Sequence, residues 1–170
     1  MTCRVEDHLT EKEGTLYWKK IPHMFRRSSI GGIAGYTHYS GYKYVKLSGK
    51  VYPQSHVVWY LTFGIWPKRE LDHINSIKSD NRIDNLRLAT RSQNQANVNK
   101  KGGTSKYNGV SWKTKTSRWI AQSGGKHLGS FTCEKEAALC YNYAAIENFG
   151  EYAWLNQVFE DVELDQENGK

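Results

Sequence analysis

An acidic residue and a histidine stand side by side at Asp72 and His73, and asparagines follow 12 and 21 residues after the histidine, at Asn85 and Asn94. The apolar residues around the Asp-His pair predict a short strand, and the polar run up to Asn85 predicts a loop. A capping-box pattern at residues 90–93 then predicts a helix that reaches about residue 100. Asn94 falls in the first turn of that helix, where it is able to face the strand.

These side chains suit phosphodiester hydrolysis, which needs an activated water and neutralisation of charge on the phosphoryl oxygens. His73 is the candidate general base, because a neutral imidazole accepts a proton near neutral pH. Asn85 is the candidate group that orients the ring. Asp72 and Asn94 offer hard oxygen ligands for one divalent ion, and these ligands leave Mg²⁺ and Mn²⁺ equally possible.

The segment before this motif predicts short strands separated by glycine turns. The clearest strand is residues 42–47, which a turn at residues 48–50 folds back into a hairpin. Residues 55–63 carry apolar side chains on successive helical turns, and Gly64 stands where a helix C-terminus favours glycine. The first 14 residues are polar and are expected to be loose.

The motif Leu71–Asn75, together with Asp84–Arg87 and Asn94, resembles the HNH endonucleases of the phage- and intron-associated homing branch, in which the last motif letter is asparagine. Residues 55–60 resemble the helix that precedes the motif in that branch. The resemblance covers roughly residues 15–100. It implies a ββα-metal fold around one divalent ion, with His73 as base, Asn85 orienting it, and Asp72 and Asn94 as ligands.

The charge distribution favours a polyanionic partner. Residues 1–156 carry 23 Lys and Arg against 12 Asp and Glu, whereas residues 157–170 carry 1 against 5. No acidic residue lies between Asp84 and Glu134, although nine basic residues do. Contacts to phosphates release counterions, so a long acid-free stretch predicts binding to nucleic acid. Within the first segment, the candidate phosphate contacts are Arg82, Arg87 and Arg91.

A second pattern follows a Gly-Gly linker at residues 101–106. Strands are predicted at residues 107–112, 118–123 and 126–131, followed by a helix whose first turn holds Glu134 and Glu136. The expected module, residues 107–156, is a three-stranded antiparallel sheet packed on one helix. An acidic tail occupies residues 157–170. The whole chain is therefore predicted to be α+β, with a nuclease domain over residues 1–100 and this module after it.

The second module resembles the plant Apetala-type or ethylene-response-factor DNA-binding domain, through residues 107–112, 118–121, 127–131 and 136–145. In that family the sheet enters the major groove of DNA and the helix supports it. Transferred by position, the residues expected to face DNA are Asn108, Ser111, Lys113, Lys115, Arg118, Gln122 and His127. Several differ from the arginines and tryptophans of plant members, so the family's target sequence does not transfer.

The expected partner is double-stranded DNA, without a membrane or a small-molecule cofactor, and the sequence leaves monomer and dimer open. Three cysteines without a Cys-x-x-Cys pair predict no structural zinc. The first residues lack an apolar signal-peptide core, so the cytoplasm is the expected location, in the host cell if the gene belongs to a phage. Two alternatives remain: a non-catalytic DNA-binding regulator and a structural RNA-binding protein.

Overall fold

The computed structural model of the protein describes residues 4–21, 29–98 and 102–158. The chain divides into two units, Met1–Val98 and Asn99–Lys170. Both combine short antiparallel sheets with few helices, so the fold is mixed α and β, as the sequence predicted. Within the described ranges, no helix is long and apolar enough to cross a membrane.

The first unit starts with a short helix and a hairpin. Helix α1 (Val5–His8) leads into β1 (Leu9–Lys12), which pairs antiparallel with β2 (Thr15–Trp18). Val5 and Leu9 are buried in the apolar core. The expectation that the first 14 residues are loose is therefore wrong from Val5 onward, because two apolar side chains in a polar run are enough to anchor it to a core.

A second sheet contains β3 (Tyr36–Thr37), β4 (Lys43–Leu47) and β5 (Lys50–Pro53) in that spatial order. Ser48 and Gly49 connect β4 to β5 with φ angles of 49° and 82°. Two consecutive positive φ angles match the right-handed twist of the flanking strands, so this turn closes a hairpin without splaying it. The predicted hairpin is confirmed.

Helix α2 (Gln54–Phe63) closes the core of the first unit. Val57 and Val58 are fully buried and pack with core residues from β2 and β4. Gly64 ends the helix in the left-handed conformation, with φ at 73°, as the sequence predicted. A side chain at this position would be strained, which explains the preference for glycine.

The motif region forms two strands and a helix. Strand β6 (Glu70–His73) pairs antiparallel with β7 (Leu86–Ala89), and α3 (Arg91–Ala96) contacts both. The 12 residues between the strands form a loop that ends in one 3₁₀ turn, Ile83–Asn85. The predicted strand, loop and helix are observed, and β7, which was not predicted, lies between the loop and the helix. Helix α3 ends at Ala96, earlier than predicted, with Asn97 as its C-cap.

The capping box at the start of α3 gives a direct test of local stability. Thr90 Oγ1 accepts from the Gln93 amide at 3.2 Å, and Gln93 Oε1 accepts from the Thr90 amide at 2.8 Å. Thr90→Ala removes one of these bonds and is expected to lower the free energy of unfolding by about 1 kcal/mol. Urea denaturation measures this change. Ser92→Ala, at an exposed position inside the same helix, is the matched control and is expected to change stability little.

The second unit is a three-stranded antiparallel sheet covered on one face by a long helix. Strands β8 (Val110–Lys113), β9 (Arg118–Ser123) and β10 (Lys126–Phe131) lie in the order β10-β9-β8, and α4 (Glu134–Phe149) contacts all three. The core between them is built from the following buried residues: Tyr107, Val110, Ala121, Ala137 and Ala138. Small alanines let the helix lie close to the sheet, as the sequence predicted.

One feature of this unit differs from the prediction. Thr104 Oγ1 accepts from the Trp112 amide at 2.7 Å, and Ser105 Oγ donates to Glu134 at 2.7 Å, so these linker residues belong to the folded unit. Ile120 pairs with Ser111 and lies on the sheet face away from the core cluster. Residues 99–101 of the linker and the tail from residue 159 lie outside the described residues.

Candidate active site and a groove on the second unit

The two central motif residues lie at the end of β6 and are both buried, Asp72 to 3% and His73 to 5% relative exposure. Successive side chains of a strand point to opposite faces, so the carboxylate and the imidazole have different neighbours. Asp72 meets β7 and the end of α3, whereas His73 meets the loop between the strands. Each environment shapes what its side chain can do.

The Asp72 carboxylate is held by a guanidinium and an amide. Arg87, directly opposite on β7, places Nε and Nη2 at 2.9 and 2.8 Å from Oδ2. Asn97 Nδ2 lies 3.1 Å from each carboxylate oxygen. A buried carboxylate without such partners would carry a large desolvation penalty. Both of these guanidinium contacts are to Oδ2, whereas Oδ1 accepts from Asn97.

Asn97 is a site residue that the sequence interpretation missed. Its Nδ2 also lies 2.8 Å from the backbone oxygen of His73, so one buried amide holds both motif residues in place. Asn97 follows Asn94 by three residues, which is about one helical turn. That spacing is the signal that identifies it, because both asparagines then lie on the face of α3 that meets β6.

Asn94 contacts the same strand two residues earlier. Its Nδ2 donates to Glu70 Oε2 at 2.8 Å, and Glu70 shares a strand face with Asp72. No residue in the described part of the chain donates to Asn94 Oδ1. The carboxamide oxygen is therefore available as a ligand on the side of β6 where Asp72 lies.

The His73 imidazole has a partner other than the predicted one. Its Nε2 lies 2.9 Å from Oδ1 of Asn81, a residue that is only 3% exposed. Asn85 instead braces the loop: its Oδ1 accepts from the Asn75 amide at 3.0 Å, and its Nδ2 donates to the Asp80 backbone oxygen at 2.8 Å. The structure thus does not bring the Asn85 side chain to the ring, in contrast to its predicted orienting role.

A tyrosine and a lysine border the histidine. The Tyr42 ring centroid lies 6.0 Å from that of His73, and Lys78 Nζ lies 5.0 Å from the Tyr42 centroid. Burial raises the pKa of Tyr42, and the neighbouring Tyr44, Asp72 and Glu70 raise it further. The phenol is therefore a neutral hydrogen-bond donor near neutral pH.

The three arginines predicted to contact phosphates differ in solvent exposure and in their bonding partners. Arg87 is committed to Asp72 and mostly buried. Arg82 is exposed but places Nε and Nη2 at 2.9 and 2.8 Å from the two Asp80 oxygens, and these bonds hold the pKa of Asp80 below its ordinary value. Arg91 is exposed at the first position of α3. Arg91 and Arg82 are thus the two whose guanidinium groups reach solvent.

Asp72 and Asn94 remain the candidate ligands of one hard cation. Asp72 Oδ1 and Asn94 Oδ1 are oxygen donors, the type that Mg²⁺ and Mn²⁺ prefer. No cluster of three or more His, Cys, Asp or Glu side chains able to hold a metal ion occurs among residues 4–21, 29–98 and 102–158. A site built here therefore has few protein ligands, and open coordination positions suit water and phosphate oxygens.

Comparison with known proteins gives one match, to a segment of the first unit. Residues 52–96 match the HNH endonuclease family model. The matched range runs from the end of β5 to the end of α3 and contains all four predicted motif residues: Asp72, His73, Asn85 and Asn94. No curated protein and no solved structure matches the chain significantly. The HNH segment indicates nuclease activity on DNA.

Outside the HNH segment, the second unit carries a groove on the sheet face opposite α4. Five of the residues predicted to face DNA line it: Ser111, Lys113, Arg118, Gln122 and His127. Trp112, Thr116, Ile120 and Ser130 complete the lining. An apolar centre at Ile120 is thus flanked by two cations and several hydrogen-bonding groups.

The other two residues predicted to face DNA lie elsewhere. Lys115 is exposed in the 3₁₀ turn between β8 and β9. Asn108 is buried to 4%, and its backbone amide and carbonyl both bond the Asn156 side chain, at 2.7 and 3.0 Å. This burial corrects the prediction for Asn108, because a side chain enclosed behind the sheet cannot read a base edge. Asn156 ties the end of the described chain to the start of β8.

Proposed function

We propose that this protein is a metal-dependent DNA endonuclease of the phage homing type, with a ββα-metal centre in the HNH segment. The observation that carries the proposal is that one family match spans Asp72, His73, Asn85 and Asn94. The first two lie next to each other on β6, and Asn94 contacts that strand from α3. These positions supply the base and the oxygen ligands that hydrolysis needs.

In the proposed reaction His73 takes a proton from a water molecule, which then attacks the phosphorus atom. The bond between phosphorus and the leaving oxygen breaks, and that oxygen finally receives a proton from solvent. Asn97 keeps the Asp72 carboxylate and the His73 backbone in fixed register, since one amide contacts both. A fixed register matters because small misplacements of a catalytic group cost rate.

Asp72 and Asn94 would hold one divalent ion, Mg²⁺ or Mn²⁺, through their side-chain oxygens. When bound, such an ion neutralises charge on the phosphoryl oxygens and stabilises the leaving oxygen. Arg87 remains beside Asp72 Oδ2 and balances the buried charge of the carboxylate in the absence of the ion. In this scheme the loop role of Asn85 is indirect, through Asn75 and Asp80.

The second unit is proposed to hold double-stranded DNA as an Apetala-type domain does, with the sheet face toward the major groove. Lys113 and Arg118 face each other across β8 and β9 at the rim of the groove, and they supply phosphate contacts. Ser111, Gln122 and His127 supply hydrogen-bonding groups for base edges. The nuclease unit then acts on DNA that the sheet unit has already bound.

Charge removal in the groove tests this role. Arg118→Gln is expected to weaken binding to duplex DNA and to reduce the slope of log K against log salt concentration by about 1. Fluorescence anisotropy over a salt series measures both. Lys126→Gln removes the same charge from β10 at a position that does not line the groove. An equal loss of slope in both variants would show that the groove makes no specific phosphate contact.

Incubation of supercoiled plasmid and host genomic DNA with purified protein tests the endonuclease proposal. Nicking or linearisation that requires Mg²⁺ or Mn²⁺ and stops with EDTA is the expected result. Binding without cleavage of any DNA, including a native target, would favour the non-catalytic regulator. The bond between Arg87 and Asp72 Oδ2 favours this alternative, because it occupies an oxygen of a candidate metal ligand. Preference for structured RNA in competition binding would favour an RNA-binding protein.

A further inference from the structure

We infer that Asn81 is the positioning residue that sets which nitrogen of His73 accepts a proton. The inference rests on the proposed function of His73 and goes beyond it, because it assigns a role to a residue outside the motif. Asn81 lies in the loop between β6 and β7, and its Oδ1 is 2.9 Å from His73 Nε2. Both residues are buried, so water does not compete for this bond.

The direction of the bond decides the tautomer. A carboxamide oxygen only accepts hydrogen bonds, so the ring nitrogen that faces it must carry the hydrogen. With Nε2 protonated, a neutral imidazole has its lone pair on Nδ1. Asn81 thus makes Nδ1 the basic atom of His73.

The surroundings of Nδ1 agree with this assignment. No residue in the described part of the chain bonds His73 Nδ1. The buried side-chain atoms without a partner there are Gln54 Oε1 and Asn81 Nδ2, and His73 Nδ1 is not among them. Nδ1 is therefore the ring nitrogen left for a water molecule. Nε2 is enclosed and committed to Asn81.

The Asn81 amide is only half satisfied, which points to a functional role. Its Nδ2 is buried without a hydrogen-bond partner among the described residues, and an unmet buried donor is unfavourable. Buried polar groups are rarely left in this state without a reason. In this orientation the carboxamide presents oxygen, not nitrogen, to the ring. If the amide turned over, Nδ2 would donate to Nε2 and the hydrogen would move to Nδ1, which would disable the base.

Asn85 does not fill this role, because its side chain forms hydrogen bonds within the loop. Its three bonds go to the backbone and side chain of Asn75 and to the backbone of Asp80. It supports the loop on which Asn81 lies, so it acts one step further from the imidazole. A variant at Asn85 is therefore a control for general damage to the loop.

The tautomer is measured directly from the ¹⁵N chemical shifts of the His73 ring, at a pH well above the ordinary imidazole range. The wild-type protein is expected to carry the hydrogen on Nε2. Asn81→Asp keeps an acceptor oxygen and should keep this tautomer. Asn81→Leu removes the acceptor and should give a mixture of both tautomers. Asn85→Leu should leave the tautomer unchanged where the loop stays folded.

Single-turnover cleavage links the tautomer to the reaction. Asn81→Leu is expected to cleave about 10- to 100-fold more slowly, the usual effect of losing a residue that orients a catalytic histidine, with unchanged affinity for DNA. Asn81→Asp should retain most of the rate. A folded Asn81→Leu protein that cleaves at the wild-type rate overturns the inference.

The wild-type spectrum alone also decides the matter. A hydrogen on Nδ1 in the wild-type protein overturns the assignment, whether or not any variant folds. Absence of cleavage by the wild-type protein with every metal would instead sink the endonuclease proposal, while the tautomer measurement would stand. The two failures are therefore distinguishable.

Discussion

Replacing His73 by alanine is expected to slow metal-dependent cleavage of DNA strongly while DNA binding persists. The imidazole is the candidate group that takes the proton from the attacking water, and general-base catalysis contributes about 10²- to 10⁴-fold to a rate. His73 is buried at the end of β6, so the protein needs no surface contact from it to hold DNA. Single-turnover cleavage and anisotropy, measured on the same preparation, separate the two effects.

A histidine in the same unit provides the control. His8 lies in α1, and its ring bonds the Lys20 backbone oxygen at 3.0 Å. His8→Ala is expected to cleave DNA at a rate close to that of the wild-type protein. Cleavage by a folded His73→Ala protein at the wild-type rate would contradict the proposed base, and a parallel loss of binding would assign the residue to the fold instead.

Replacing Arg87 by methionine is expected to destabilise the first unit by about 3–5 kcal/mol, because it leaves the Asp72 carboxylate buried without its counterion. The pair is enclosed, with side-chain exposures of 13% for Arg87 and 4% for Asp72. Asn97 alone then faces the charge. Hydrogen exchange of the α2 amides under increasing urea reports the first unit without interference from the second.

The exposed pair of the same chemistry is the matched control. Arg82 bonds Asp80 with the same two guanidinium nitrogens, but the Arg82 side chain is 53% exposed. Arg82→Met is expected to destabilise the protein much less than Arg87→Met, since solvent screens a surface pair. The double variant Asp72→Asn with Arg87→Met should regain part of the lost stability. If Arg87→Met and Arg82→Met cost the same, burial does not govern the Asp72 pair.

Most of the secondary structure could be predicted from local sequence patterns. Three predicted features are observed: the Ser48-Gly49 turn, the Thr90 capping box and the glycine at the end of α2. Each of them depends only on residues within about four positions along the chain. The strand β6 and the helix α3 of the HNH segment were also predicted from local patterns, whereas β7 was not predicted. Neighbouring residues along the chain largely determine backbone dihedrals, so sequence alone predicts such features.

The partners of the site residues depended on contacts between distant positions. Asn81 and Asn97 are separated from His73 and Asp72 by 8 and 25 residues, and no short pattern encodes which asparagine reaches the ring. Asn85 fits the motif spacing, yet the loop turns its amide toward Asn75. Several asparagines in the loop carry the same carboxamide group, and the conformation of the folded loop determines which of them contacts the His73 ring.

The sequence by itself determined that the chain has an Asp-His strand followed by a helix with asparagines, and that a basic sheet unit comes after it. The tertiary structure decided which side chains meet. Arg87, predicted to touch phosphate, is opposite Asp72 and neutralises it. Asn108, predicted to touch DNA, is enclosed with Asn156. Burial converts a charge or an amide from a free surface group into a structural partner, because an unpaired polar group costs far more inside a protein than in water.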